Sequence, residues 1–175
     1  RRGGHVLGIC GGYQMLGRVI DDPSGADGLA GQVAGLGLLD VTTVMAADKR
    51  LTRVTGTALG QPVSGYEIHM GRTTGPDCAR PFAHIPEPDG AVSADGRVTG
   101  SYLHGLFSDD AFRAAFLARL GVASRPGYEA GVDAALDDLA DHLETHLDVA
   151  GLLALARQRR GGRAVVTFWC WTRRG

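Results

Sequence analysis

HVLGICGGYQ, residues 5–14, reads as a buried strand, a tight turn and the start of a helix. Val6 to Ile9 are a short apolar run closing on the turn, which predicts the strand. From Tyr13 to Ile20 apolar residues recur at a helical period, and Asp21-Asp22-Pro23 then ends the predicted helix. A strand, a turn and a helix in this order predict an α/β layer fold.

The turn itself has the form Gly-x-Cys-x-Gly, with Cys10 between Gly8 and Gly12. Small residues are expected on both sides of such a nucleophile, because the backbone folds so sharply that side chains would collide. The helix that follows directs its first N–H groups at the sulfur, which favours a thiolate, and the Gly11 N–H is placed to bind an oxyanion. The alternative is that Cys10 is an inert buried thiol.

A thiol nucleophile needs a base, and His104 is the best candidate among the six histidines. It follows a strand predicted from Val98 to Leu103. Because the ends of parallel strands gather at one edge of a sheet, His104 can face Cys10 across that edge. A purely structural histidine is the alternative.

Two further groups of titratable residues have suggestive spacings. Glu67 and His69 lie two apart on a strand predicted from Val63 to Met70, so they share a face, either in a site or on a solvent-facing edge strand. His142 and His146 share a helix face and could hold zinc. No third ligand has a fitting spacing, so we interpret that face as solvated and predict no metal site.

The remaining elements are predicted from residue composition and from the positions of proline and glycine, which interrupt helices and strands. Residues 21–35 and 71–96 are predicted to be irregular, and a helix is predicted with Ser108 as its N-cap. Further elements are predicted as strands at Leu36 to Met45 and Leu51 to Ala58 with a turn at Ala46 to Arg50, and as a second helix carrying Val132, Leu136, Leu139, Leu143 and Leu147.

Composition bounds the class of protein. With 175 residues, 44% apolar residues and a net charge of −1, the chain can bury an ordinary core and has no overall field that attracts nucleic acid or a membrane surface. The three cysteines, Cys10, Cys78 and Cys170, lack the spacing of a disulfide framework or zinc knuckle. The only lysine, Lys49, is not part of a P-loop, so ATP binding of that kind is excluded. We expect a cytoplasmic protein.

Two segments are predicted along the chain. Residues 1–156 are expected to form one partial domain, because a strand begins almost at Arg1 and the sequence reads as a piece of a longer polypeptide. Residues 157–175 carry six arginines and no acid, and we interpret them as an irregular basic tail. The aromatic cluster at residues 168–171 leaves a nucleic-acid contact as the alternative, although no nucleic-acid partner is predicted.

Three motifs together resemble the class I glutamine amidotransferase domains of the cobyric acid synthase family. They are residues 8–14, GICGGYQ; residues 65–71, GYEIHMG; and residues 102–107, YLHGLF. The resemblance extends in order over roughly residues 3–155. It implies a flavodoxin-like α/β sheet with flanking helices, incomplete at the N-terminus.

The same resemblance implies a function and roles. L-Glutamine would be hydrolysed and its ammonia used by an upstream ATP-dependent synthetase domain, which would hold ATP and Mg²⁺ and amidate carboxylates of adenosylcobyrinic acid a,c-diamide on the route to cobalamin. No cofactor is expected in this chain. The resemblance implies that Cys10 and His104 are the catalytic residues. It also implies that the substrate is bound by Gly11, Gln14, Glu67 and His69.

Two departures from the family pattern leave alternatives open. Many class I domains have a glutamate two residues after the catalytic histidine, where this chain has Leu106, so the residue that orients His104 is not identified. The family's glycine-containing loop, expected upstream of the turn that carries Cys10, also lies outside the sequence. The alternatives are a cobyrinic acid a,c-diamide synthase module, an inactive truncated domain, and another cysteine hydrolase such as a peptidase.

Overall fold

The structure is a computed structural model that describes residues 3–158. Ten strands and four α-helices occur in these residues. The strands are β1 Val6–Ile9, β2 Val19–Asp22, β3 Gly31–Ala34, β4 Thr42–Ala58, β5 Gln61–Thr74, β6 Ala83–His84, β7 Pro88–Asp89, β8 Ala91–Val92, β9 Val98–Ser101 and β10 Leu103–His104; the helices are α1 Gly11–Leu16, α2 Asp110–Arg119, α3 Tyr128–His146 and α4 Val149–Gln158.

A three-stranded sheet carries the predicted strand–turn–helix. Its order is β1-β9-β8, with β1 and β9 parallel and β8 antiparallel to β9. In the parallel pair Ile9 lies opposite Ser101, so both strands end at the same edge. The sheet therefore brings the residues after Ile9 and after Ser101 together. The strand predicted from Val98 to Leu103 is shorter than expected, because β9 ends at Ser101 and Leu103 and His104 form β10, which pairs with β5 of the other sheet.

A larger mixed sheet is built around one long hairpin. Its order is β10-β5-β4-β2-β3, and β6 and β7 extend it beside β4. Leu59 and Gly60 turn the hairpin with positive φ at both positions, the conformation that type I′ turns require. The turn predicted at Ala46 to Arg50 is wrong, because β4 continues through it with a bulge between Val44 and Lys49.

Two other predicted elements near the first helix are also corrected. Helix α1 ends at Leu16 rather than Ile20, because Val19 and Ile20 pair with β3 and β4 as strand β2. Strand β3 thus lies inside the predicted 21–35 loop. Residues 36–39 do not form a strand, since their N–H groups bond to carbonyls of residues 15–17 and complete the C-terminal end of α1.

The segment 71–96 is more ordered than predicted. It contains the end of β5, a 3-10 helix at Pro76–Ala79 and three short strands. Two clusters of buried side chains flank these elements. One contains Tyr13, Leu16, Leu39, Val41, Ala91 and Tyr102. The other contains Val54, Ala58, Val63, Phe82, Ala83, Ile85, Leu103, Leu106 and Phe112.

The N-cap of helix α2 lies one residue later in the chain than predicted. Asp109, not Ser108, is the N-cap, and its carboxylate accepts hydrogen bonds from the N–H groups of Ala111 and Phe112. The buried ring of Phe112 contacts those of Phe107 and Phe116. This aromatic cluster attaches α2 to the sheet that carries β10.

The described residues divide into two compact units, with the boundary between Tyr128 and Glu129. In the second unit α3 has no buried residue, although its apolar side chains share the predicted helical spacing. The tail prediction for residues 159–175 lies outside the described residues. Within residues 3–158 no helix has the length and apolarity needed to cross a membrane.

The fold class is α/β, with helices flanking multi-stranded sheets. Only two strand pairs are parallel in the described part of the chain, β1 with β9 and β2 with β4. The other strand pairs are antiparallel, so each of the two sheets contains both parallel and antiparallel pairs.

Candidate active site

Cys10 occupies a strained hinge between β1 and α1. Its φ of +56° and ψ of −119° fall in a region that L-residues rarely adopt. The hinge is held in place because the Cys10 N–H donates to the Ser101 carbonyl at 2.9 Å and the Cys10 carbonyl accepts from the Gln14 N–H at 3.2 Å. Such strain concentrates at functional sites.

Small residues were predicted to be required on both sides of Cys10, and the structure shows this requirement at Gly8 only. A Cβ at Gly8 would lie 2.6 Å from Leu16 Cδ1 and 2.7 Å from the Gly12 backbone, so only glycine fits there. A Cβ at Gly12 or Gly11 would meet nothing within 4 Å. The collision expected at Gly12 is therefore wrong, since the chain is already helical at that point.

The thiol of Cys10 faces strand β5 of the larger sheet. Its Sγ donates to the Ile68 carbonyl oxygen at 3.2 Å, and the residue is half-buried. Cys10 is therefore not sealed in the core. Cys78, which lacks this setting, lies 3.7 Å from the Tyr13 hydroxyl.

His104 ends strand β10 and borders the same stretch of β5. It lies opposite Tyr66 in the antiparallel pair, and the two rings stack with centroids 5.0 Å apart. Gly65 permits this approach, because a side chain there would collide with the His104 carbonyl. Among residues 3–158, the buried Nε2 of His104 has no hydrogen-bond partner. Cys10 and His104 thus flank β5 at positions 66–68.

The position where many class I domains carry a glutamate offers no charge. Leu106 is fully buried in the apolar cluster beneath β10. No carboxylate within residues 3–158 forms an ion pair with His104.

Gln14 connects the helix after Cys10 to both neighbouring elements. Its Nε2 donates to the Met70 carbonyl at 3.1 Å and to the Tyr102 hydroxyl at 3.2 Å. The side-chain oxygen of Gln14 has no protein partner in the described residues. Gly11 is the first residue of α1, so its N–H has no acceptor within the helix.

Glu67 and His69 share a face of β5, and this face is not a solvent-facing edge. Glu67 is only 5% exposed, and its Oε2 lies 2.9 Å from Arg50 Nε. His69 stacks on the Tyr102 ring at 3.9 Å, with Nε2 3.9 Å from Glu67 Oε1. Burial lowers the pKa of His69 although Glu67 opposes this, so the ring is neutral at neutral pH.

Glu67 and His69 line a cavity of about 520 Å³, whereas Cys10, Gly11, Gln14 and His104 are not among its lining residues. Sequence reasoning missed three of its contributors. Arg50 lies in the segment predicted as a turn, and Asp89 lies in the segment predicted as irregular. Tyr102 stands inside a quoted motif but bears no charge that marks it as a contact.

His142 and His146 are neighbours on α3, with ring centroids 4.4 Å apart. Within residues 3–158 no three histidine, cysteine or acidic side chains are grouped closely enough to hold a metal ion.

The fold and this geometry define a class of protein: an α/β domain with a cysteine on a strained strand–helix hinge and a histidine on strand β10, both of which contact β5. Comparison with protein families identifies the particular family. Residues 1–112 match the CobB/CobQ-like glutamine amidotransferase domain. The chain belongs to this family of enzyme domains.

Similar proteins carry one name. The cobyric acid synthases of Paracoccus denitrificans, Cereibacter sphaeroides and Bradyrhizobium diazoefficiens are 71%, 68% and 63% identical over 157, 161 and 161 residues. In each case the match covers 90% of this chain. It covers only 33–34% of the relative, so the chain spans about one third of the length of these curated relatives.

Proposed function

We propose that this chain is the glutamine-hydrolysing module of a cobyric acid synthase, and that residues 1–156 act as its amidotransferase domain. The observation that carries the proposal is the strained Cys10, whose thiol contacts β5 at Ile68, while His104 pairs with the same strand at Tyr66 and its Nε2 has no hydrogen-bond partner among residues 3–158. Family membership and the shared name of the relatives support it.

In the proposed reaction the Cys10 thiolate attacks the side-chain carboxamide carbon of L-glutamine. His104 carries the thiol proton and delivers it to the departing nitrogen as the C–N bond breaks, which releases ammonia and leaves a glutamyl thioester. Water activated by His104 then cleaves the thioester and releases glutamate. The sum is glutamine plus water to glutamate plus ammonia. No cofactor is required for these steps.

Substrate binding is proposed for four residues near the thiol. The Gly11 N–H would stabilise the oxyanion that forms as the carbonyl is attacked. Gln14 would contribute its side-chain oxygen, since its nitrogen is already bound by the protein. Glu67 and the neutral His69 would contact the polar end of glutamine from the β5 face.

Ammonia from this module would serve an upstream synthetase domain. That domain would bind ATP and Mg²⁺ and amidate carboxylates of adenosylcobyrinic acid a,c-diamide, in the cytoplasm. We also propose that the three-stranded sheet belongs to a larger flavodoxin-like sheet. The support is that β1, in the described residues, uses only one of its edges.

Covalent labelling tests the glutaminase proposal. We expect 6-diazo-5-oxo-L-norleucine, an electrophilic glutamine analogue, to add one adduct at Cys10, detected by peptide mass spectrometry. Cys10→Ser should abolish the adduct. Cys78→Ser, which removes the other half-buried thiol, should retain it. His104→Ala should slow labelling by at least about tenfold, because general acid–base catalysis typically contributes 10²–10⁴-fold.

The alternatives predict other outcomes. Labelling that is indifferent to Cys10, or no labelling even when upstream sequence is present, would indicate an inactive domain. Cleavage of peptides without release of ammonia from glutamine would indicate a peptidase. In the longer protein, amidation of cobyrinic acid itself at the a and c carboxylates would indicate a cobyrinic acid a,c-diamide synthase.

A further inference from the structure

A buried carboxylate borders the cavity and is not used in the proposed reaction. Asp89 ends strand β7 and is only 5% exposed. Its two oxygens accept hydrogen bonds from the Ser101 hydroxyl at 2.5 Å and from the Tyr102 N–H at 3.1 Å. Both donors belong to the chain between β9 and β10, so Asp89 fixes the point where one strand ends and the other begins.

Ser101 connects this point to both candidate catalytic residues. It is fully buried, and its carbonyl accepts the Cys10 N–H at 2.9 Å. Its hydroxyl oxygen accepts the Leu103 N–H at 3.0 Å while donating to Asp89. Leu103 directly precedes His104. Ser101 therefore links the strained hinge, through its carbonyl, to the strand that carries the histidine, through its hydroxyl.

Tyr102 extends the same connection to the substrate side. Its N–H is held by Asp89, its hydroxyl accepts from Gln14, and its ring stacks on His69. A shift of the Asp89 carboxylate would therefore move the residues proposed to bind glutamine as well as the two proposed to attack it.

Packing alone does not explain an acid at this place. A buried carboxylate is costly unless its hydrogen bonds repay its loss of hydration, and burial raises the pKa of Asp89. Asp77 offers a comparison within the same unit. It is 7% exposed and accepts from the Asp40 N–H, but it also forms an ion pair with Arg80. Asp89 has no ion-pair partner among residues 3–158; its partners are groups that position the site.

We infer that Asp89 and Ser101 are a positioning pair that sets Cys10 and His104 in register for attack on the amide. The inference rests on the proposed function, because it concerns the same reaction. Neither residue has a role in binding or attack in the proposed reaction. Both act through backbone groups: Asp89 accepts the Tyr102 N–H, and Ser101 accepts the Leu103 N–H through its hydroxyl and the Cys10 N–H through its carbonyl.

The test uses the rate of Cys10 labelling by 6-diazo-5-oxo-L-norleucine in the full chain, resolved into a maximal rate and a half-saturating concentration. Asp89→Asn and Ser101→Ala should each lower the maximal rate by about 10- to 100-fold, since small misplacements of reacting groups cost rates of this size. The half-saturating concentration should change less than about threefold. Ser101→Thr, which keeps the hydroxyl, should recover most of the rate.

Two controls separate positioning from general damage. Asp77→Asn removes a similarly buried acid that makes none of these contacts and should leave the maximal rate within about twofold of wild type. The double variant Asp89→Asn/Ser101→Ala should lose no more than the worse single variant, because the two residues act as one unit. Circular dichroism and thermal melting would establish which variants are folded.

Unchanged labelling in folded Asp89→Asn, losses that multiply in the double variant, or an equal loss in Asp77→Asn would overturn the inference while leaving the proposed function intact. A wild-type chain that reacts with iodoacetamide at Cys10 but never with the glutamine analogue would instead defeat the proposed function. The iodoacetamide rates of the same variants would then decide the positioning role, with the same order expected.

Discussion

Gly8 and Cys10 occupy the same turn but are constrained in different ways. Gly8 is limited by space, because Leu16 and the Gly12 backbone fill the volume that a side chain would need. Cys10 is limited by conformation, because its backbone adopts a positive φ that glycine would accept without cost. A side chain in the unfavourable conformation is therefore present at Cys10, where we propose a catalytic role for it, and absent at Gly8, where it would only collide.

The first prediction concerns these steric limits. Gly8→Ala should lower the free energy of unfolding by about 1–3 kcal/mol, because overpacking a tight site costs this much. Gly12→Ala places a methyl group in open space and should stay within about 1 kcal/mol of wild type. Urea unfolding followed by circular dichroism measures both. Equal stabilities for the two variants would contradict the steric account.

Single residues also show how far the sequence could predict the site. The spacing around Cys10 was sufficient to predict the strand–turn–helix, but the predicted sheet edge shared with His104 is wrong, because His104 lies in β10 and pairs with β5 of the other sheet. Asp89 could not be found in this way, since it lies among prolines and glycines and its partners are backbone and hydroxyl groups. Such contacts depend on tertiary placement, which local patterns do not encode.

Among the elements, those with strong local signals were predicted best. Strand β1 and the strand around Val63 to Met70 are confirmed, although β5 is longer at both ends. The helix from Tyr13 was overextended because Val19 and Ile20 continue its apolar period, yet they form ladder hydrogen bonds with two strands. Tertiary pairing overrode the helical pattern there.

The second prediction concerns the start of α2. Asp109→Ala should lower the free energy of unfolding by about 1 kcal/mol, because it removes the acceptor for two N–H groups of the first turn. Ser108→Ala serves as the matched control and should change stability by less than about 0.5 kcal/mol. Thermal or urea unfolding compares them. A larger loss of stability in Ser108→Ala than in Asp109→Ala would instead support Ser108 as the N-cap, as predicted from the sequence.

For the whole molecule, the sequence predicted the α/β class and the strand–turn–helix at its centre but not the mixed sheets. The predicted parallel arrangement holds at β1 and β9, which carry the site, and fails for most other pairs. The long β4–β5 hairpin explains the difference. Its bulge near Val44 resembles a turn in sequence, so one continuous strand was predicted as two.

The third prediction concerns stability in acid. Asp110 accepts hydrogen bonds from the N–H groups of Gly127 and Tyr128 and pairs with Arg113, and these contacts lower its pKa below the ordinary 3.8. The ionised carboxylate therefore stabilises the fold above pH 3.8. That contribution disappears as pH falls through the lower folded-state pKa.

Asp110→Asn should consequently show a shallower loss of unfolding free energy below about pH 4 than the wild type. Asp133→Asn is the control, since the Asp133 side chain forms no hydrogen bond or ion pair in the described residues. Urea unfolding at several pH values gives both slopes. Identical slopes for wild type and Asp110→Asn would show that this carboxylate does not link its loop to the fold.

The positive φ of Cys10 has a practical consequence for anyone engineering this chain. Glycine at position 10 would relax the hinge, and strain of this kind is worth of order 1–3 kcal/mol. A screen that rewards heat resistance alone would therefore favour replacing the whole Cys10 side chain by a hydrogen atom, and its best-scoring survivors would lack the thiol on which the proposed reaction depends. Counting reactive thiols in every round would keep such a screen from selecting against the chemistry it was meant to preserve.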